Sequence, residues 1–527
     1  MDELGSVAEK SARGSLHLFL GNLVAEIINA VGVVIVGNLL TSEEMGRYSL
    51  SFVLPGVFLI FTGLGLDQAL IRFLTRLGVK GDWDGVRRLA RTGLLFQAEL
   101  ASILSVVMFL ASDFLASSVL RRPELVVSVR IGSVLILSQA VYTMAASVFY
   151  GIERMDLMAI TMVVHSLVKA SASPLLIIMG YGVLGPFIGH LLGVVTVTLL
   201  SILLIFNYLR GREGSTDGGA VEDTSLRAML RFGSPLYLSS FIGNLGMRYQ
   251  GLLLAWFATD AAIGNLDIAT KFKSLVTLFT VPVTSVIFPA FSKFDYREQS
   301  EELRGFFRAS VRYATFVVVP ATTLLILVSR EAVTILFSSG YPEAPLYLSL
   351  GLLQFFAVGL GSLSLYAFLN SQGDTSTTFR LVVLNVVLSM ISCTVFTSYA
   401  GVTGLQIGVF ASTLIGNAVN LYVVNRKYSV NVDLRHTLTV FTFSGLSGLL
   451  SVGLLGLIAS QNHVVNLIAC TAVFLAACLL LAPLSGAVVQ GDIDNFRRFL
   501  GGEPILRPFV SPFVDLVERI VRYRGGS

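Results

Sequence analysis

The sequence predicts an all-α polytopic membrane protein of about 14 transmembrane helices, arranged as two parallel six-helix lobes plus two extra C-terminal helices. Three observations lead there: the composition, the recurrence of long apolar runs, and a match between the two halves of the chain. Of 527 residues, 54% are hydrophobic and 13% charged, against about 25% charged in an ordinary soluble domain. Mean hydropathy is +0.78. A spanning helix needs roughly 20 mostly apolar residues. Candidates lie at about 15–40, 48–72, 89–112, 129–150, 157–180, 183–209, 231–256, 261–290, 310–337, 344–369, 378–399, 402–425, 437–460 and 464–489.

The distribution of basic residues orients these spans. Cytoplasmic loops collect Lys and Arg. With the N-terminus inside, the inner segments hold Arg76, Lys80, Arg87, Arg88 and Arg91, then Arg210 and Arg212, then Lys293, Arg297, Arg304 and Arg308, then Arg426, Lys427 and Arg435, and finally the arginines of the tail. Outer loops hold Arg47, Arg121 and Arg122, with Arg130 at a span edge, while GYGVLGP, YAGVTG and SQNH carry no Lys or Arg. This pattern predicts a multi-pass protein of the cytoplasmic membrane with both termini cytoplasmic. The net charge of +4 is thereby a topology signal and implies no nucleic acid partner.

Internal duplication organises the chain. FLGNLVAE (Phe19 to Glu26) is answered by FIGNLGMR (Phe241 to Arg248). Sliding Phe149–Gly189 by 219 residues places Gly182, Val183, Gly185, Ile188 and Gly189 on Gly401, Val402, Gly404, Ile407 and Gly408. Gly46 falls on Gly264 at a shift of 218. The expected organisation is an N-terminal lobe at 1–209, a cytoplasmic linker at 210–226, a C-terminal lobe at 227–425, two unpaired spans at 426–489, and a cytoplasmic tail at 490–527. Within the tail, SPFVDLVERIVRYR puts Phe513, Leu516, Val517, Ile520 and Val521 on one face, the pattern of an interfacial amphipathic helix.

An ionisable side chain inside a span is costly and points to a cavity or pathway. Glu26 lies in span 1, Glu99 in span 3, His165 and Lys169 four apart in span 5, His190 in span 6, Arg248 in span 7, and Asp267, Lys271 and Lys273 in span 8. Asp267 and Lys271, at i and i+4, can also pair with each other, and the histidines can be packing residues. Lys169 and Arg248 have no opposite charge at helical spacing in their own spans, which marks them as candidate anion contacts. Glu26 and Glu99 are candidates either to pair with those cations or to carry a coupling H⁺ or Na⁺. Cys393, Cys470 and Cys478 all fall inside spans, against disulfides and a metal cluster. There is no GxxxxGK[ST] loop, and GDID (Gly491 to Asp494) stands without a nucleotide-binding domain, so it reads as a turn or helix cap. No enzyme, cofactor or metal site is expected.

Several stretches together resemble the polysaccharide flippases of the multidrug/oligosaccharidyl-lipid/polysaccharide exporter superfamily. They are GNLLTSEEMGRYSLSF with GLGLDQALIRF, FYGIERMDLMAI, YGVLGPFIGHLLG, GNLDIATKFKSLVTLFTVPVTSVIFPAFSKF with Pro289 and Ser292, and FLNSQGDTSTTFRLVVLNVV. The resemblance covers about residues 15–425. It implies two lobes in a V around a central cavity that opens alternately inward and outward. It also implies a lipid-linked glycan as substrate, its phosphate or pyrophosphate head held by cations. Lys169, Arg248, Lys271 and Lys273 are the candidate substrate contacts. The arginine triad of the lipid II branch has no counterpart in span 1, which carries Glu26 and no arginine in its core. Membrane lipids and glycan-assembly enzymes are the expected partners. A cation-coupled multidrug exporter shares the fold but prefers an acidic, aromatic cavity. A non-transporting scaffold of a glycan-assembly complex needs partner surfaces instead.

Overall fold

The computed structural model describes residues 2–212, 225–276, 280, 284, 287–296, 298–458, 461–501 and 507–525. Most of the 210–226 linker and Arg297 lie outside the described residues. Among those described there is no β-strand. Among the described residues, nine helices are long and apolar enough to cross a membrane, and one bent pair, Ala344–Leu360 with Leu365–Ser371, adds a tenth at 47°. Their apolar side chains largely face outward: only 11% of the most apolar window of Met155–Tyr181 is buried. Such apolar area is untenable in water and is satisfied by lipid tails. The protein is a multi-pass membrane protein.

The chain divides into two compact units, Met1–Asp267 and Ile268–Ser527. The first comprises α1 (Asp2–Leu39), α2 (Ser42–Leu50), α3 (Val53–Ile60), α4 (Leu66–Val79), α5 (Trp83–Leu110), α6 (Val126–Gly151), α7 (Met155–Leu176), α8 (Leu184–Arg210), α9 (Leu226–Phe257) and the start of α10 (Asp260–Lys273). A capping box opens α2: Glu44 N–H donates to Thr41 Oγ1 at 3.3 Å, and Thr41 N–H donates to Glu44 Oε2 at 2.9 Å. Leu66, Leu70 and Leu74, one turn apart on α4, are fully buried in a core with Leu89, Val148 and Phe149.

The second span is not the continuous helix expected at 48–72. It is broken into α2, α3 and α4, with Leu64 at φ 48° and Gly65 at φ 76° between the last two. Close backbone approach explains the glycine. A Cβ on Gly65 would lie 2.1 Å from the carbonyl oxygen of Gly233 on α9, and a Cβ on Gly233 would lie 2.1 Å from that of Gly65. Gly46 and Gly264, matched in sequence, also meet in space. A Cβ on either would lie under 2 Å from a carbonyl oxygen, of Asp260 and Ser42 respectively.

Loops alternate between the two ends of this unit. At one end Asp260 joins Arg47 Nε at 3.0 Å and Arg122 Nε at 2.9 Å. At the other, Arg87 Nη2 donates to the carbonyls of Leu209 at 3.0 Å and Arg212 at 2.9 Å.

The second unit holds the rest of α10, then α11 (Ser300–Leu327), α12 (Ser329–Phe337), α13 (Ala344–Leu352), α14 (Leu365–Ser371), α15 (Thr375–Tyr428), α16 (Leu434–Ile458), α17 (His463–Ser485), α18 (Gln490–Gly501) and α19 (Arg507–Gly525). Its core is aromatic: Phe368 packs edge-on against Phe291 (5.6 Å), Phe307 (5.7 Å) and Tyr428 (5.2 Å). The 54-residue α15 turns back at Ala400 and Gly401, so its two ends meet. Asp374, its N-cap, accepts from Lys427 Nζ at 2.6 Å and the Tyr428 hydroxyl at 2.9 Å. Burial raises that carboxyl, but hydrogen bonds from Lys427, Thr377 and Tyr428 outweigh it and hold it at about 2.

In the tail, Val514, Val517 and Val521 of α19 pack with Val488 and Ile493, while Phe513 and Leu516 remain exposed. The GDID stretch anchors the tail to the bundle: Asp492 accepts from Arg312 Nη2 at 2.5 Å and from the Tyr313 hydroxyl at 3.0 Å. Cys393, Cys470 and Cys478 are free thiols.

Candidate functional site

Small residues set where the charged side chains of the first unit sit. α1 lies against α7 with almost no spacing. A Cβ on Gly21 would meet Ala159 Cβ at 2.5 Å, and one on Gly32 would meet Ala170 Cβ at 2.9 Å. Ala25 is buried on the same stripe. Asn29 reaches across this seam, its Nδ2 donating to Ser166 Oγ at 2.9 Å, and its Oδ1 is buried without a partner. Glu26, one position past Ala25, is exposed. Glu99 is exposed on α5.

His165 sits beside Ser166, with Lys169 half-buried one turn further along α7. Gly193 of α8 makes room for the imidazole, since a Cβ there would lie 3.0 Å from His165 Cδ2. The His165 ring meets His190 edge-on at 5.4 Å, His190 meets Phe52 at 5.0 Å, and Phe52 meets Tyr48 at 5.2 Å. Next to Tyr48, Ser49 Oγ donates to Asp267 Oδ1 at 3.3 Å. A row of polar and aromatic groups therefore runs from Lys169 through two histidines to Asp267. The His165 Nε2 is buried with no hydrogen-bond partner among the described residues.

Arg248 lies on α9, exposed, with its guanidinium flat against α3. A Cβ on Gly56 would come within 2.7 Å of both Arg248 Cζ and Nη1, so glycine at 56 is what admits the guanidinium there. On the same helix Tyr237 packs over Gly63 and Phe241 meets Phe61 at 5.7 Å. The Tyr237 hydroxyl is buried with no partner. Among the described residues, Arg248, Glu26 and Glu99 have neither a hydrogen-bond nor an ion-pair partner, and none of them is joined to another or to Lys169.

The remaining two candidates fall in the second unit. Lys271 is exposed. Lys273 is half-buried, its aliphatic chain and the Gln406 amide both lying against Gly351. That unit also holds a polar cluster. Asn385 Nδ2 donates to the Tyr366 hydroxyl at 2.7 Å and to Asn420 Oδ1 at 3.1 Å, and Asn420 Nδ2 donates to Tyr366 at 3.2 Å. No group of three or more metal-ligating residues occurs among the described residues.

A polysaccharide biosynthesis protein family model matches residues 11–295, more than half of the chain. The chain belongs to the polysaccharide biosynthesis protein family. The resemblance read from the sequence is borne out by this match. Among relatives of this family, a Haloferax volcanii protein named "Probable low-salt glycan biosynthesis flippase Agl15" is 22% identical over 458 residues, 84% of this chain and 89% of its own. Two solved structures share the fold. "Lipid II flippase MurJ, inward closed conformation" aligns over 89% of this chain and 99% of its own with TM-score 0.69 at 14% identity. An inward-facing "multidrug resistance MATE family transporter of the MOP superfamily" aligns over 77% and 94% with TM-score 0.60 at 18% identity.

Sequence reasoning missed Asn29, Ser166 and Tyr237 in this family member, as well as the Tyr366–Asn385–Asn420 cluster, because it looked only for ionisable groups. A usable signal was present for Asn29. It lies four residues beyond Ala25 and three before Gly32, on the small-residue stripe that α7 covers.

Proposed function

We propose that this protein is a flippase that carries a lipid-linked oligosaccharide or polysaccharide precursor across the cytoplasmic membrane by alternating access, without catalysing a covalent change. The observation that carries this reading is Arg248: a guanidinium on a membrane helix, laid against Gly56, with no partner among the described residues. An intramembrane cation is expensive unless something pairs with it, and a phosphate or pyrophosphate head matches its planar fork. Lys169, Lys271 and Lys273 are the further cations assigned to that head, and Glu26 and Glu99 the carboxylates assigned to a coupling H⁺ or Na⁺. In this reading residues 1–209 and 227–425 are parallel lobes that rock about a central cavity, and both termini are cytoplasmic. The name of the Haloferax relative and the family of the chain support glycan precursors over drugs as cargo.

Complementation of a flippase-deficient host tests this. The wild type is expected to restore surface glycan, and Arg248→Ala to abolish it at equal membrane abundance. If Arg248→Ala and Lys169→Ala both restore glycan fully, these cations do not hold the head. If the wild type exports a cationic dye and restores no glycan, the exporter reading replaces this one.

A further inference from the structure

Apart from these charged positions, the first unit has a groove of about 630 Å³ between α5, α6 and α8, within the range of small-molecule sites. Its chemistry is divided by depth. The rim holds Arg87, Arg91 and Arg210, and every other lining side chain is apolar, with no acid among them. Along α5, Leu94, Leu95 and Ala98 follow Arg91; along α8, Phe206, Ile205 and Ile202 precede Arg210. At 1.5 Å per residue the apolar part reaches roughly 10 Å from the arginines, most of the depth of one leaflet's hydrocarbon, about 15 Å.

The three arginines are not equivalent. Arg87 is committed: its Nη1 bonds Asp84 at 2.9 Å and its Nη2 the Leu209 and Arg212 carbonyls. Those bonds tie the start of α5 to the end of α8 and fix the width of the rim. Arg91 has no hydrogen-bond or ion-pair partner among the described residues, and Arg210 only faces the Phe206 ring at 5.8 Å. Beside the rim, Arg212 stacks on Trp83 at 4.0 Å and Tyr208 at 4.5 Å, the aromatic signature of a membrane–water interface. A ligand here must be an amphiphile, anionic at one end and hydrocarbon along the other. Basic pockets between membrane helices recognise lipid head groups in this way.

We propose that this groove is a binding site for an anionic phospholipid, its phosphate between Arg91 and Arg210 and an acyl chain along Leu95, Ile202 and Phe206. Free phosphate would leave the apolar part unfilled, and a zwitterionic lipid would bring its own cation to the rim.

The test is native mass spectrometry of the full chain in detergent, titrated with phosphatidylglycerol and phosphatidylcholine of identical chains. The wild type is expected to retain phosphatidylglycerol roughly tenfold more tightly. Arg91→Gln with Arg210→Gln should erase that preference while leaving the apparent Tm within a few degrees. Leu95→Trp, which fills the groove and keeps both arginines, should lower retention of both lipids and covers the case in which the double variant does not fold. Equal retention of the two lipids by the wild type overturns the proposal, as does a double variant with the wild-type preference. A polyprenyl phosphate that displaces phosphatidylglycerol at equimolar concentration overturns it too, by assigning the groove to a carrier lipid.

Discussion

The turn between α7 and α8 and the turn inside α15 are two copies of one design that differ in chemistry. In the first, Gly182 has φ 51° and ψ −129°; in the second, Gly401 has φ 53° and ψ −130°. The glycines that follow are used alike. Gly185 faces the backbone of Leu176 and Ile177, and Gly404 faces that of Phe396 and Thr397. Gly189 closes on Ser173, and Gly408 on Ser392 and Cys393. Yet His165, Lys169 and His190 of the first copy correspond to Leu384, Leu388 and Val409 of the second at the same 219-residue shift. Ser147, Ser166 and Ser201 correspond in turn to Tyr366, Asn385 and Asn420. The two turns share a backbone geometry that favours glycine, while the side chains on that frame differ.

The largest effect is expected at Gly404. A Cβ there would stand 1.9 Å from Phe396 O, against 2.8 Å from Ile177 N at Gly185. Gly404→Ala should abolish monodisperse folded protein in size-exclusion profiles, and Gly185→Ala should only reduce it. Equal tolerance would show that the tighter approach at Gly404 carries no extra cost.

Gly182→Ala and Gly401→Ala are expected to cost about 1–3 kcal/mol each, since both force an L-residue into a region that glycine alone visits freely. Matching losses of thermal stability in detergent would sharpen the comparison. A loss at one site only would show that the surroundings, not the dihedral, set the cost.

Helix starts differ in the same way. α7 begins with Asp156 gripped by Arg154 at 2.8 and 2.6 Å, whereas α15 begins with Asp374 held by residues from its far end. Asp374→Asn should cost about 2–3 kcal/mol at neutral pH, the linkage expected for a carboxyl near 2 when folded and about 3.9 unfolded. Because the folded value is depressed, the wild-type advantage is fully present above about pH 4. It is lost as pH falls toward 2, and apparent Tm of wild type and variant against pH should converge there.

The smallest effect on stability is expected where the copies differ most. His165→Leu installs the second copy's residue and removes a buried nitrogen with no hydrogen-bond partner, so Tm should hold or rise. Transport should nonetheless fall about tenfold or more. Unchanged transport would make the polar row a packing feature.

Much of this was readable in the sequence. The matches of Gly182 with Gly401 and Gly46 with Gly264 point to backbone demands, and those demands are met: the first pair shares a turn and the second pair touches. The FLGNL and FIGNL phrases were a weaker guide. Gly21 is jammed against Ala159, whereas Gly243 has nothing within 4 Å, so equal letters there do not serve an equal contact. The break of the second span was hidden because Gly63–Leu64–Gly65 reads equally well as part of an apolar run. Its cause lies 168 positions away, in the approach of Gly233.

By itself the sequence determined that the chain lies in lipid, that stretches of its two halves match at a shift of about 219 residues, and which cations stand inside apolar segments. Composition, periodicity and glycine are local properties, so no partner is needed to read them. Tertiary structure alone decided which polar groups meet: Asn29 with Ser166, His165 with His190, Asp374 with Lys427, and the Arg248 guanidinium with the bare backbone of Gly56. Each of these joins residues far apart in the sequence, across a turn or between helices, and neither hydropathy nor helical spacing encodes which face of one segment will be covered by another.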